Sequence, residues 1–364
     1  MASITAPGRL GDPEMCLATE PRIHPKLLEA LKDYGIHTPS YLSPEIASDA
    51  PLDVIRSFVS KNEEVIEKLL DSMDYSVPDE TSSTPITRFE EFILGPDGNK
   101  IKLIIHRPSE SLGTPLPAVL HFHSGGMVIL STENSMHTTW VEALAKTGLV
   151  AIAVDFRNAM SRTGFNPFPA GLNDCAAAVR WVDAHKEQLG ISKIVLEGES
   201  GGGNLVLATA LKAKREGWVR AIDGVYATVP YISGAYGLPL EWKLQELPSL
   251  VECDGYLISC ATSAFNVKIY DPSGEHAKNP LAWPYWATDE DLKGLPPHFI
   301  VTSELDPLRD EGNAYYRKLV RAGVNAVGKM NIGVIHEAEL FLRQVLPDLF
   351  LANLWEFKKF ADRL

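Results

Sequence analysis

The clearest chemical signal is a serine set among glycines, in the sequence GESGG at 198–202. An apolar run precedes it and a helix-spaced apolar run follows, so Ser200 lies at a predicted strand-to-helix turn. Such a turn strains the serine backbone and exposes its hydroxyl at a helix N-terminus, where negative charge is stabilised. The pattern predicts a nucleophile. A plain glycine turn or a phosphate loop is the alternative, but the Gly-Lys-Ser/Thr of a phosphate loop is missing.

A second glycine pair, Gly125 and Gly126, follows an earlier predicted strand in the sequence HFHSGG at 121–126. Backbone N–H groups of such a loop can stabilise the negative oxygen that forms when a serine attacks a carbonyl group. The expected donors are Gly125, Gly126 and the N–H group of Gly201. His121 and His123 are assigned to the same loop. A merely flexible turn is the alternative, and it leaves the spacing to the serine unexplained.

A nucleophilic serine needs a base, and the base needs an acid to orient it, in the chain order Ser, Asp or Glu, His. Of the ten histidines, only His336 lies beyond the late predicted strands. Asp306 comes just after one of these strands, and Glu304 and Asp310 are the competing acids. We expect Asp306 to orient His336, which takes the proton of Ser200.

The elements that position these residues follow from the periodicity of the sequence. From residue 86 onward, apolar strands alternate with helices, which indicates a mostly parallel sheet covered on both faces. A Pro/Ser/Thr cluster at 77–85 marks a boundary. We expect an N-terminal helical cap segment at 1–85 and an α/β catalytic domain at 86–364. An aromatic-rich interruption at about 231–290 is predicted to be a cap or pocket insertion, and the final helix is predicted to begin near residue 337.

Charge and composition exclude several classes of protein. The net charge of −13 over 364 residues disfavours binding to nucleic acid or to anionic lipid. No apolar run approaches the ~18 residues of a membrane span, no secretory signal is visible, and the four cysteines lack metal-ligand spacing. We therefore expect a cytoplasmic protein with no membrane span, no metal and no organic cofactor. The sequence leaves open whether the protein forms a homo-oligomer.

These motifs resemble those of the hormone-sensitive-lipase family of α/β-hydrolases, which carries a His-Gly-Gly-Gly loop and a Gly-Asp/Glu-Ser-Ala/Gly-Gly turn. The stretches ELDPLRDEG at 304–312 and NIGVIH at 331–336 add to the resemblance, which covers nearly the whole chain. It implies an α/β-hydrolase fold with a central sheet of about eight strands and a helical cap. It also implies hydrolysis of carboxylic esters, with lactones as a further hypothesis. The implied triad is Ser200, Asp306 and His336, and the implied oxyanion hole is Gly125, Gly126 and Gly201.

Two residues depart from the family pattern beside the expected chemistry. Ser124 replaces the first glycine of the loop. If the position requires a positive φ, a serine there is strained; if it does not, the serine adds a hydroxyl near the oxyanion hole. Glu337 follows His336, where the family has a small residue. Glu337 is predicted to raise the pKa of His336; pointing into solvent, or starting the final helix, are the alternatives.

The expected partner is a small-molecule ester or lactone. The candidate substrate-binding residues are Ser124, Met127, Glu199, Tyr231, Trp286 and Glu337. For Met127, Tyr231 and Trp286, ordinary core packing is an equal alternative. The same triad also serves an acyltransferase or thioesterase that acts on a polyketide-type acyl chain. A non-catalytic binding protein is disfavoured, because both the serine and the histidine are present.

Overall fold

An eight-stranded mixed sheet forms the centre of the protein. The computed structural model describes residues 6–38, 45–77, 84–111, 113–161 and 164–364. Neighbouring strands follow the order β1-β2-β4-β3-β7-β8-β9-β10, and β5 and β6 form a separate hairpin. The strands are β1 (Ile86–Leu94), β2 (Lys100–Pro108), β3 (Leu116–Phe122), β4 (Val150–Asp155), β5 (Met160–Ser161), β6 (Gly164–Phe165), β7 (Ile191–Glu199), β8 (Gly224–Thr228), β9 (His298–Ser303) and β10 (Ala326–Asn331).

Only the pairs β1–β2 and β2–β4 are antiparallel, and the other neighbours in the sheet are parallel. The inner strands are apolar and almost wholly buried, as expected where helices cover both faces of a parallel sheet. The carboxyl ends of parallel strands lie at one edge of the sheet, so the loops after β3, β7 and β9 meet there. The predicted α/β-hydrolase fold class is therefore confirmed.

Helices surround the sheet and also fill the interruption predicted at 231–290. The helices of the described residues are α1 (Pro25–Asp33), α2 (Leu52–Asp71), α3 (Ser135–Lys146), α4 (Ala170–Ala184), α5 (Gly201–Arg215), α6 (Leu240–Glu246), α7 (Ser249–Glu252), α8 (Cys260–Tyr270), α9 (Asp289–Leu292), α10 (Arg309–Arg321), α11 (Ala338–Phe341) and α12 (Pro347–Arg363). No helix among these is long and apolar enough to cross a membrane.

The end of the chain differs from the prediction of one final helix beginning near residue 337. The structure has the short helix α11, then a break, and then the long helix α12. Pro347 occupies the first position of α12, where its fixed φ and missing N–H group are tolerated, whereas inside a helix they would break it. The proline therefore sets the start of the final helix.

The N-terminal segment packs against both the insertion and the loop that carries His336. Phe58 of α2 meets Phe265 of α8 edge to face, with 5.8 Å between ring centroids. The His24 N–H group donates to the Gly333 carbonyl at 2.8 Å. Residues 78–83 of the predicted boundary lie outside the described residues. The division into a cap segment and a catalytic domain stays a prediction.

Candidate active site

Ser200 occupies the sharp turn between β7 and α5. Its φ of 51° and ψ of −111° are rare for a residue with a side chain, and such backbone strain costs about 1–3 kcal/mol. Two hydrogen bonds fix the turn: the Ser200 N–H group donates to Thr228 O at 2.9 Å, and the Tyr231 N–H group donates to Ser200 O at 3.0 Å. The turn is thus bonded to the end of β8 and to the start of the insertion.

The neighbouring glycines allow this turn to pack against β3. A Cβ atom at Gly202 would lie 1.7 Å from the carbonyl oxygen of Phe122. A Cβ atom at Gly201 would lie 2.6 Å from the backbone nitrogen of Gly126. No side chain fits at either position, and the close approach brings the serine turn against the glycine loop.

The glycine loop after β3 adopts backbone conformations that favour glycine. Gly125 has a φ of 103° and Gly126 a φ of 63°, both in the left-handed region. Among the described residues, no acceptor takes a hydrogen bond from either N–H group. Gly201 opens α5, so its N–H group has no partner within the helix. Three backbone donors are therefore available at the meeting point of loop and turn.

His336 and Asp306 lie in contact beyond the ends of β10 and β9. Nδ1 of His336 is 2.8 Å from Oδ2 of Asp306, and the Leu308 N–H group donates to the other carboxylate oxygen at 2.9 Å. The two competing acids are engaged elsewhere. Glu304 accepts from the Gly333 N–H group at 2.8 Å, and Asp310 accepts from a backbone N–H group of α7 at 2.7 Å.

The surroundings of His336 favour its protonated form. Burial alone would lower the pKa of the imidazole, but the charge and hydrogen bond of Asp306, together with the charge of Glu337, raise it to about 9. Nε2, the nitrogen that faces away from Asp306, has no hydrogen-bond partner among the described residues. This atom is free to exchange a proton with a serine, a water molecule or a substrate oxygen.

Glu337 turns its side chain inward rather than into solvent. Its Oε1 lies 3.5 Å from Nε2 of His336, and the residue is only 7 % exposed. Burial raises the pKa of the carboxyl group, whereas the charge of His336 favours its ionised form. Glu337 does stand at the start of a helix, as the N-cap residue of the short α11 rather than of the final helix, and its side chain makes no capping bond.

Ser124 adopts no left-handed backbone conformation, so the expected strain does not arise. Its hydroxyl lies 3.1 Å from Nε2 of His137, and Nδ1 of that ring is 2.8 Å from the carbonyl oxygen of Ser131. Burial lowers the pKa of His137 well below its usual value. The neutral ring donates from Nδ1, so Ser124 donates its hydroxyl proton to Nε2.

His121 lies within β3, so its assignment to the glycine loop is wrong. The parallel register places it opposite Glu197 of β7, and its Nδ1 is 2.8 Å from a carboxylate oxygen of that residue. The Trp140 indole donates to the other oxygen at 3.3 Å. His123 does follow the strand, with its Nδ1 2.7 Å from Ser124 O. The sequence signal was a polar residue in each of two neighbouring apolar strands.

Glu199 joins His121 and Glu197 in a buried cluster behind the serine turn. One ligand atom from each of the three lies within 4.8 Å of the others, a donor set that could hold a metal ion. Burial raises the pKa of Glu197 to about 7, and burial together with Glu197 raises the pKa of Glu199. An adjoining cavity of about 10 Å³, lined by Glu199 and Tyr226, is about the size of one water molecule.

Of the remaining candidate substrate-binding residues, two adjoin the serine turn and one does not. Met127 follows the glycine loop and is buried. The Tyr231 ring stacks on Tyr236 at 4.4 Å, and its hydroxyl donates to a carbonyl of α8 at 2.7 Å. Trp286 donates its indole N–H to Ser233 O at 2.8 Å and has no contact with Ser200, Asp306 or His336 among the described interactions. The first two adjoin the serine turn, whereas Trp286 belongs to the insertion.

Sequence reasoning missed one residue that shapes the site, Asn204. Its buried amide donates to the carbonyl oxygens of Tyr231 and Ala282, both at 2.9 Å. It therefore fastens two separate points of the insertion to the helix that begins at Ser200. The available signal was a single amide in an otherwise apolar helical run.

Comparison with known proteins agrees with this architecture. A family model described as the alpha/beta hydrolase fold matches residues 119–340. Brefeldin A esterase, a bacterial homologue of human hormone-sensitive lipase, has a solved structure that is 45% identical, covers 98% of both chains and superposes with a TM-score of 0.95.

Two curated relatives are also similar. An arylesterase of Saccharolobus solfataricus is 29% identical over 75% of this chain and 83% of its own length. The carboxylesterase NlhH of Mycobacterium tuberculosis is 31% identical over 66% of this chain and 72% of its own length. The chain therefore belongs to the hormone-sensitive-lipase family of α/β-hydrolases and is a hydrolase of the carboxylesterase type.

Proposed function

We propose that this protein hydrolyses carboxylic esters through an acyl-enzyme formed on Ser200, with His336 as general base and Asp306 as the orienting acid. The observation that carries the proposal is the 2.8 Å contact between Nδ1 of His336 and Asp306, which leaves Nε2 without a partner. The strained turn at Ser200 and the three backbone donors supply the other two requirements of acyl transfer.

In the first half of the reaction, Ser200 Oγ attacks the ester carbonyl carbon while His336 Nε2 takes its proton. Asp306 holds the imidazole tautomer and stabilises the imidazolium. The N–H groups of Gly125, Gly126 and Gly201 donate hydrogen bonds to the carbonyl oxygen as it becomes negative. His336 then gives the proton to the alcohol oxygen as the ester bond breaks.

In the second half, His336 activates a water molecule that attacks the acyl group, and the proton returns to Ser200 Oγ as the carboxylic acid leaves. Every proton that moves starts and ends on the serine, the histidine, water or substrate. The residues named so far are sufficient for both halves.

We infer that the substrate is a bulky apolar ester, with lactones included. The insertion contributes the stacked rings of Tyr231 and Tyr236 beside the serine turn, and α2 packs across α8. Apolar and aromatic walls with a few polar groups are typical of small-molecule sites. The name of the similar brefeldin A esterase adds a lactone to the compounds worth testing.

The test is hydrolysis of p-nitrophenyl esters of increasing acyl length, beside a set of macrolactones, with labelling by a serine-directed organophosphonate. We expect p-nitrophenol release, labelling at Ser200 alone by mass spectrometry, and better turnover of longer or bulkier acyl groups than of acetate. Labelling at another residue would overturn the assignment of the nucleophile. Equal turnover of all chain lengths would overturn the substrate class but leave the ester hydrolysis standing.

A further inference from the structure

Two buried polar atoms lie close together beside the proposed base, and neither has a hydrogen-bond partner among the described residues. They are Nε2 of His336 and Oε1 of Glu337, 3.5 Å apart. Buried polar atoms in proteins are nearly always hydrogen-bonded to protein or to water. A water oxygen about 2.8 Å from each atom would satisfy both. The atoms therefore define a position for one bridging oxygen.

The backbone at Glu337 adds a second observation. Its φ of 53° and ψ of 15° are left-handed, a conformation that glycine adopts without penalty and a glutamate does not. A glycine would fit this position without strain. The side chain that is present instead places an oxygen beside the base, and strained positions of this kind concentrate at functional sites.

We propose that Glu337 is a positioning residue that selects water as the acyl acceptor. The inference rests on the proposed acyl-enzyme and deepens it, because it concerns which molecule attacks that intermediate. A water molecule at the bridging position donates one hydrogen to Nε2 of His336 and the other to Oε1 of Glu337. Both hydrogens are then fixed, and an oxygen lone pair is left to face the acyl carbon.

The step balances without a further reactant. The water oxygen bonds to the acyl carbon, its first proton passes to Nε2, and the carbonyl electrons move to the oxygen held by Gly125 and Gly126. When the tetrahedral intermediate collapses, the bond to Ser200 Oγ breaks and the proton on Nε2 goes to that Oγ. Glu337 keeps its hydrogen bond to the second hydrogen throughout and gains no proton.

An alcohol is disfavoured at the same position. It has one hydroxyl hydrogen, which it must give to Nε2, and its carbon group then points toward the Glu337 carboxyl. A buried acceptor left facing an apolar group loses its hydrogen bond without replacement. Glu337 therefore favours hydrolysis over acyl transfer, which separates the two reaction types that share this triad.

The experiment measures how one acyl-enzyme divides between water and methanol. The full-length enzyme is given p-nitrophenyl butyrate in buffer with increasing methanol, and methyl butyrate and butyric acid are quantified by gas chromatography. The product ratio does not depend on which step limits turnover, because both acceptors compete for the same intermediate. The variants are Glu337→Leu and Glu337→Gly, which lack the acceptor, and Glu337→Gln, which keeps an oxygen in place.

We expect the ratio of methyl ester to acid to rise about tenfold in Glu337→Leu and Glu337→Gly and to stay near the wild-type value in Glu337→Gln. The glycine variant suits the local backbone, so it decides the matter if the leucine variant does not fold. Unchanged ratios in both acceptor-free variants overturn the proposal, and so does a glutamine variant that rises as far as leucine. No p-nitrophenol release from the wild type would instead overturn the ester hydrolysis itself.

Discussion

Two histidine–carboxylate pairs in this protein have the same contact distance, but the pKa values of their histidines shift in opposite directions. Nδ1 of His336 lies 2.8 Å from Asp306, and Nδ1 of His121 lies 2.8 Å from Glu197. All four residues are buried. Yet the pKa of His336 is raised to about 9, whereas burial lowers the pKa of His121.

The difference lies in what surrounds each carboxylate. Asp306 accepts a bond from a backbone N–H group at 2.9 Å, and its charge and its bond to Nδ1 raise the pKa of His336. Glu197 accepts a longer bond from Trp140, at 3.3 Å, and burial raises the pKa of Glu197 to about 7. Of the two histidines, only His336 therefore has surroundings that favour an imidazolium. A short His–carboxylate contact is therefore insufficient evidence for a catalytic base.

The largest effect is expected at Ser200, because only the pair formed by His336 is proposed to serve a nucleophile. Ser200→Ala should lower kcat by about 10⁶, as removal of a triad nucleophile does elsewhere. Steady-state kinetics with a p-nitrophenyl ester measures the loss, and an unchanged melting temperature shows that the fold is intact. Full activity in the alanine variant would contradict the proposed triad.

The second prediction compares Asp306 with Glu197, the carboxylates of the two histidine pairs. Asp306→Asn should lower kcat by about 10⁴, because the imidazole loses its correct tautomer. The matched change Glu197→Gln should leave kcat within about tenfold of wild type and act on stability, by about 1–3 kcal/mol for a disturbed buried hydrogen bond. Kinetics and urea unfolding of both variants test the contrast. A larger kinetic loss in Glu197→Gln than in Asp306→Asn would reverse the assignment.

The smallest effect concerns pH. A base with a raised pKa is charged below that pKa and cannot accept the serine proton, so kcat/KM should rise with pH toward about 9,. Glu337→Gly removes one of the charges that raise the pKa of His336. The acidic limb should then move to lower pH, with ~3–10-fold more of the maximal rate retained at pH 7.

Glu337→Gln is the matched control for that pH profile, since it removes the charge and keeps the shape of the side chain. It should shift the acidic limb in the same direction as Glu337→Gly does. An acidic limb that stays in place, or moves to higher pH, in both variants would end the electrostatic role.

Much of this architecture follows from local sequence rules. The first strand begins at residue 86 as predicted, because the Pro/Ser/Thr cluster at 77–85 comes directly before it in the sequence. The glycines at 198, 201 and 202 stand where a Cβ atom would clash with backbone atoms, as a sharp strand-to-helix turn around a serine requires.

Other features depend on contacts between distant segments. The pairing of His121 with Glu197 needs the register of β3 against β7, which no local pattern encodes. The helices of the insertion were missed because irregular, aromatic-rich sequence carries weak periodicity. Glu337 has a left-handed backbone conformation, and its side chain points inward. A glutamate in the sequence does not predict that conformation.

Asn204 has a consequence for how the enzyme meets its substrate. Its amide donates hydrogen bonds to Tyr231 and Ala282 from the first turn of α5. These bonds hold the insertion at two points. A lid that opens at an oil–water interface needs flexible hinges at both of its ends. The rate should accordingly follow the concentration of dissolved ester smoothly, with no jump at the solubility limit, and emulsified fat should be a poor substrate.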